Sequence, residues 1–219
     1  MSRRSEIVDS IETIGAVAIV RTQRADLVGW AAGVLHECGV RAIEVTFTVP
    51  GACGVIRDLV SVFGEGHLIG AGSVCTEQDA REAIDAGAAY VVSPILNRDV
   101  IRLAHDHDVA AMPGCYTPNE IFAATQLEAD VVKVFPADSL GPSYLRAVRA
   151  PMPTLRLMPT GGVTCENAGQ WISAGAVAVG IGSALLDRHT LEQQDERQLR
   201  DRAATLLGSI GAARAGASS

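Results

Sequence analysis

Short apolar, β-branched runs alternate with amphipathic segments along almost the whole chain, and this alternation constrains the fold more than any other feature. The runs span 17–20, 42–45, 68–71, 90–93, 110–112, 131–135, 155–158 and 176–181. Helical spacing with a polar face separates them, as at 26–38, 77–86, 97–105, 118–127 and 166–174. Near-continuous apolar strands require burial on both faces, and helical crossovers require parallel pairing. The expected fold is therefore α/β, a single (β/α)8 TIM barrel preceded by a short N-terminal helix. An open doubly wound sheet is the rival, but the turn after Val20 reads Arg-Thr-Gln and lacks a G-x-G-x-x-G fingerprint.

The chain of 219 residues is long enough for one large core, so residues 1–207 are expected to form one barrel domain. Residues 208–219 are rich in Gly, Ala and Ser and are expected to fray as a flexible tail. The formal net charge is −7, and the basic residues are scattered, which argues against nucleic acid and anionic membrane as partners. Five widely spaced cysteines without a C-x-x-C pair read as free thiols in a reducing compartment. The N-terminus has no apolar signal-peptide core, so a cytoplasmic location is expected. The uncharged stretch 167–186 has the length of a membrane helix, but its four glycines fit a helix, turn, strand and glycine loop in succession.

In a barrel, the chemistry is built where strands end and loops toward the helices begin. Those ends carry Arg21, Thr46 to Thr48, Gly72 and Ser73, Ser93 and Pro94, Pro113 and Gly114, Phe135 to Ala137, Thr160 to Gly162, and Gly182 and Ser183. Lys133, in Val-Val-Lys-Val-Phe, is the only lysine beside 17 arginines. An apolar surround disfavours a charged ammonium, and a neutral amine attacks a ketone carbonyl, which a guanidinium cannot do. A snorkelling lysine at a strand end is the bland alternative. Period-two alternation turns Glu44 inward together with Ala42 and Thr46, where burial should raise its pKa and a nearby cation lower it. Glu44 is thus a candidate proton shuttle, with a structural ion pair as the alternative. Glycine loops follow both of the last two strands, at 161–162 and 180–182, the usual place of a phosphate site. His105 and His107 diverge on their helix and fit a solvated helix end better than a metal site, so neither metal nor cofactor is expected.

Six ordered blocks between residues 16 and 186 carry a family resemblance: A-I-E-V-T at 42–46, G-A-G-S-V at 70–74, V-S-P at 92–94, M-P-G-C-Y-T-P-N-E at 112–120, V-K-V-F-P-A at 132–137 and P-T-G-G-V at 159–163. The chain resembles the 2-keto-3-deoxy-6-phosphogluconate and 4-hydroxy-2-oxoglutarate aldolases and their phosphogalactonate-cleaving relatives. The resemblance implies a class I aldolase with Lys133 as Schiff-base lysine and Glu44 as general acid/base. It further implies substrate contacts from Arg21, Thr48, Ser73, Pro94, Phe135 and Thr160, phosphate held by Gly161, Gly162, Gly182 and Ser183, and a homotrimer. Phosphogluconate-type members continue E-V-T-L-R-T, whereas this chain reads E-V-T-F-T and places Thr48 where their arginine stands. Arg21, at the end of the first strand, instead matches the phosphogalactonate branch.

Cleavage of a 2-keto-3-deoxy-6-phospho sugar acid to pyruvate and glyceraldehyde 3-phosphate is the function these readings imply together. Cleavage of 4-hydroxy-2-oxoglutarate to pyruvate and glyoxylate is the alternative within the family. A phosphosugar isomerase or epimerase with Glu44 as base, and a phosphate-ligand-binding barrel without turnover, also stay open on the same fold.

Overall fold

The computed structural model describes residues 2–64 and 68–217. Strands β1 (Ala16–Val20), β2 (Ala42–Thr46) and β3 (Leu68–Gly72) alternate with α2 (Asp26–Glu37) and α3 (Ala52–Phe63) after an opening helix α1 (Arg3–Ile14). The same alternation continues through α4 (Glu77–Asp85), β4 (Tyr90–Val92), α5 (Arg98–Asp106), β5 (Ala110–Met112) and β6 (Gly114–Cys115). It ends with α6 (Pro118–Gln126), β7 (Val132–Val134), α7 (Gly141–Arg149), β8 (Leu157–Pro159), α8 (Ala168–Ser173), β9 (Val179–Ile181), α9 (Arg188–Gln193) and α10 (Glu196–Ala217).

The result is an α/β fold with a curled parallel sheet. Six strands follow the order β5-β4-β3-β2-β1-β9, and β6-β7-β8 form a second segment. Every residue of β1, β2 and β3 is buried, as expected of strands covered on both faces. The fifth apolar run is divided because Pro113 has no amide hydrogen to donate, so β5 pairs with β4 and β6 pairs with β7. At the other side of the second segment, a single parallel bridge joins Thr160 to Gly180.

Local chemistry sets the helix ends. Thr76 with Asp79 and Thr117 with Glu120 form capping boxes that start α4 and α6, and Asn97 caps α5. Helix α1 ends at Gly15, whose φ of 80° is costly for any residue with a Cβ. Ion pairs fix α1 below the strand starts: Arg4 to Asp130 at 3.2 Å, and Arg156 to Glu12 at 2.8 Å. Asp130 also accepts from the Ala111 amide and bonds His105 at 3.1 Å, so His105 serves this half-buried network instead of a solvated helix end.

The tail differs from the sequence expectation. Helix α10 runs on to Ala217, because Ile210 is buried and Arg214 donates to the carbonyls of Glu12 and Thr13. Ser218 and Ser219 lie outside the described residues. The 167–186 stretch is α8, a turn, β9 and a glycine loop, and no described helix is long and apolar enough to cross a membrane.

Candidate active site

Strand alternation turns Glu44 and Lys133 into the interior of the curled sheet, 1% and 6% exposed. Gly114 stands opposite Lys133 in the β6–β7 register, and glycine makes room for Glu44. A Cβ on Gly72 would lie 1.9 Å from Glu44 Oε1, so the carboxylate rests directly on the β3 backbone.

The electrostatics of Glu44 follow from that position. Burial pushes its carboxyl above the ordinary range, while Lys133 and Arg21 pull it down. Its Oε2 has no hydrogen-bond partner among the described residues. Lys133 Nζ lies 4.8 Å from the centroid of the Phe135 ring, an aromatic face that attracts a cation. A buried amine, a carboxyl whose affinity for a proton is raised by burial, and a cation in the cavity lining are thus brought to one place.

Above them opens a cavity of about 640 Å³. Of the residues expected from sequence, Arg21, Phe135, Thr160, Gly161, Gly162, Gly182 and Ser183 line it. Glu44 and Lys133 are not in its lining, and neighbouring side chains connect them to it: Ile19, the β1 partner of Glu44, and Phe135 beside Lys133. Gly161 and Gly162 have φ of 94° and 71°, so the loop after β8 takes a course that favours glycine. Thr160 is 6% exposed, with Oγ1 unpartnered among the described residues. Gly180 is needed beside it, since a Cβ there would stand 2.3 Å from that hydroxyl.

Three more expected residues stand outside the cavity lining. Thr48 is exposed, and its hydroxyl is 2.7 Å from that of Thr46, which donates to the Val20 carbonyl. Ser73 is half-buried with φ of 61°, a left-handed conformation uncommon for serine. Pro94 packs its carbonyl where a side chain on Gly114 would go.

The structure adds residues that strand ends alone did not reveal. Gln23, Arg24, Arg188 and Glu192 line the cavity mouth. Arg24 pairs with Asp26, and Arg188 with Glu192 at 2.7 Å. Their signal in sequence is distance: each lies within nine residues of a strand end already singled out. The loop carrying Ser183 is anchored by Asp187, which burial alone would push up but which the Thr190 amide and Arg202 hold down at about 2.

The family model for KDPG and KHG aldolase matches residues 7–201. The chain is 33% identical over 189 residues to the 2-dehydro-3-deoxy-6-phosphogalactonate aldolase of Escherichia coli strain K12, covering 86% of this chain and 91% of that one. It is 30% identical over 206 residues to the 2-dehydro-3-deoxy-phosphogluconate aldolase of Treponema pallidum, covering 94% and 98%. A solved structure named native KDPGal superposes with a TM-score of 0.81 at 30% identity, covering 90% of this chain and 95% of that one. Family model, relatives and fold agree: the chain belongs to the KDPG and KHG aldolase family.

Proposed function

We propose that this protein is a class I aldolase that cleaves a 2-keto-3-deoxy-6-phospho sugar acid to pyruvate and glyceraldehyde 3-phosphate. The observation that carries the reading is the only lysine of the chain, buried on the interior face of β7 within electrostatic reach of Glu44. The Lys133 amine attacks the C2 ketone to give a carbinolamine. Glu44 in its acid form supplies the proton with which the hydroxyl leaves as water, and the iminium that results is the electron sink. Glu44, now a carboxylate, takes the C4 hydroxyl proton as the C3–C4 bond breaks, and the electron pair moves to the iminium. The products of that step are the aldehyde and the enamine of pyruvate. Glu44 protonates C3 of the enamine, and water then releases pyruvate and frees Lys133.

Arg21, with Ser73, Thr48 and Pro94, holds the 2-keto acid carboxylate, a role supported by the charge that Arg21 brings to the cavity lining, and Phe135 flanks the lysine. Thr160 meets the sugar hydroxyls with its unpartnered Oγ1. The amides of Gly161, Gly162, Gly182 and Ser183 take the phosphate. The eight strand positions close into a (β/α)8 barrel, a reading supported by pairing on both sides of Pro113 and by the Thr160–Gly180 bridge. The domain proper extends through α10, and the chain assembles as a homotrimer. Five free cysteines support a cytoplasmic location.

The test is to incubate the protein with pyruvate, reduce with borohydride and locate the adduct by mass spectrometry. Labelling of the peptide bearing Lys133 is expected, and its absence overturns the aldolase reading. Side-by-side assays of the phosphogalactonate, phosphogluconate and hydroxyoxoglutarate acids should give the highest kcat/KM for the first, with Arg21→Ala raising KM. Unchanged kinetics in Arg21→Ala would refute its carboxylate role.

A further inference from the structure

The mechanism above leaves one buried polar group unused. Tyr90 is 0% exposed on the inner face of β4, and its hydroxyl has no hydrogen-bond partner among the described residues. Its ring and the Glu44 carboxylate converge on β3. The register sets Glu44 opposite Gly70 and Gly70 opposite Tyr90. A Cβ on Gly70 would stand 2.2 to 2.4 Å from three atoms of the Tyr90 ring, as one on Gly72 would collide with Glu44 Oε1. Tyr90 from one side and Glu44 from the other therefore fill successive inward places of the same strand, about 6.6 Å apart by strand rise. Both carry a buried oxygen without a partner among the described residues, Tyr90 Oη and Glu44 Oε2, and the Glu44 charge acts on the Tyr90 hydroxyl.

A ring that served only to fill the space over Gly70 would be better supplied by phenylalanine, because a buried hydroxyl without a partner destabilises the fold. The groups that face Glu44 are Lys133 from β7, Arg21 from the end of β1 and Tyr90 from β4, while β1 presents Ile19 and β3 presents glycine. Burial, and then the Glu44 charge, push the Tyr90 hydroxyl well above its ordinary pKa, so it stays a donor throughout the working range.

We infer that Tyr90 is a positioning residue for Glu44: its hydroxyl, through one bridging water, donates to the Glu44 carboxylate and holds it aimed toward Lys133. The inference rests on the roles given to Lys133 and Glu44 above. In Tyr90→Phe the borohydride adduct with pyruvate still forms on Lys133. Exchange of the pyruvate methyl protons with deuterated solvent, followed by NMR, tests the base directly, because Glu44 must remove a C3 proton from the iminium. Tyr90→Phe should slow this exchange about tenfold, the scale of one lost hydrogen bond to a charged group. Losing the donor disfavours the carboxylate, so the acid limb of the exchange profile should move up by about one pH unit. Installing 3-fluorotyrosine at position 90, a stronger donor on the same ring, should move the limb down. Wild-type exchange and an unmoved limb in Tyr90→Phe, or an unmoved limb with fluorotyrosine, overturn the positioning role. A wild-type protein that forms no adduct overturns the lysine reading instead.

Discussion

A carboxylate buried to 1% exposure is tolerated as an anion only while cations face it, and Glu44 has two of them in Lys133 and Arg21. Burial outweighs both, so the folded state raises the pKa of Glu44 above its unfolded value. The stability this group contributes is therefore fully present below the unfolded pKa and is lost as pH rises through the folded one. A neutral isostere escapes that loss. Glu44→Gln should have a higher thermal midpoint than wild type at neutral and alkaline pH, with the gap closing on acidification, while turnover falls about 10²- to 10⁴-fold. Midpoints below wild type at every pH would show that pairing with Lys133 outweighs burial. Lys133 and Glu44 were legible in the sequence because a charge inside an apolar, alternating run has one inward face to occupy. Tyr90 was not, since a tyrosine at the start of a strand looks ordinary until the register sets Gly70 beneath its ring.

Elements whose burial is set by pattern matched the sequence reading closely, and those set by individual contacts did not. The apolar runs became strands because both faces of each are covered, and a Thr or Asn cap fixed the start of α4, α5 and α6 within a residue or two of expectation. Pro113 divided the fifth run by withholding a hydrogen-bond donor, an effect that depends on which neighbour each half meets. The C-terminal segment was misjudged because composition counts apolar residues and not their contacts. Ile210 alone is 2% exposed, Ser209 Oγ accepts from the Gly169 amide at 2.9 Å, and Arg214 Nη1 donates to the Thr13 carbonyl at 2.6 Å. Truncation after Leu207 exposes the neighbours of Ile210, whose burial contributes about 1.5 to 3 kcal/mol. It also strips partners from α8 and from the end of α1. The truncated protein should therefore lose about 2 kcal/mol or more in urea unfolding, with an unchanged midpoint as the result that would return these residues to the status of a loose tail.

At the scale of the molecule, the two ends of the sheet have different duties. Ion pairs from α1 to Asp130 and Arg156 close the end where the strands begin, while arginines 21, 24 and 188 line the open mouth of an acidic chain. That places positive charge where a phosphorylated acid must enter. The side surface is also uneven: Ile95, Tyr116 and Phe122 are large apolar residues 51%, 38% and 54% exposed. Gly114 donates to the Ile95 carbonyl, Tyr116 directly follows β6, and Phe122 lies on the next helix, α6. Covering them by other copies of the chain is the assembly proposed above, and such cores of interfaces are enriched in aromatic residues. Sedimentation at micromolar concentration should then give a particle of three 22.9 kDa chains. A carboxylate at the centre of an apolar contact is desolvated without a partner, so Phe122→Asp should sediment as a single chain. Every residue given a role in the reaction comes from one chain, so that variant should still form the reduced pyruvate adduct on Lys133. A wild-type protein that sediments as one chain would overturn the trimer, and loss of the adduct in a folded Phe122→Asp monomer would show that the site depends on its neighbours.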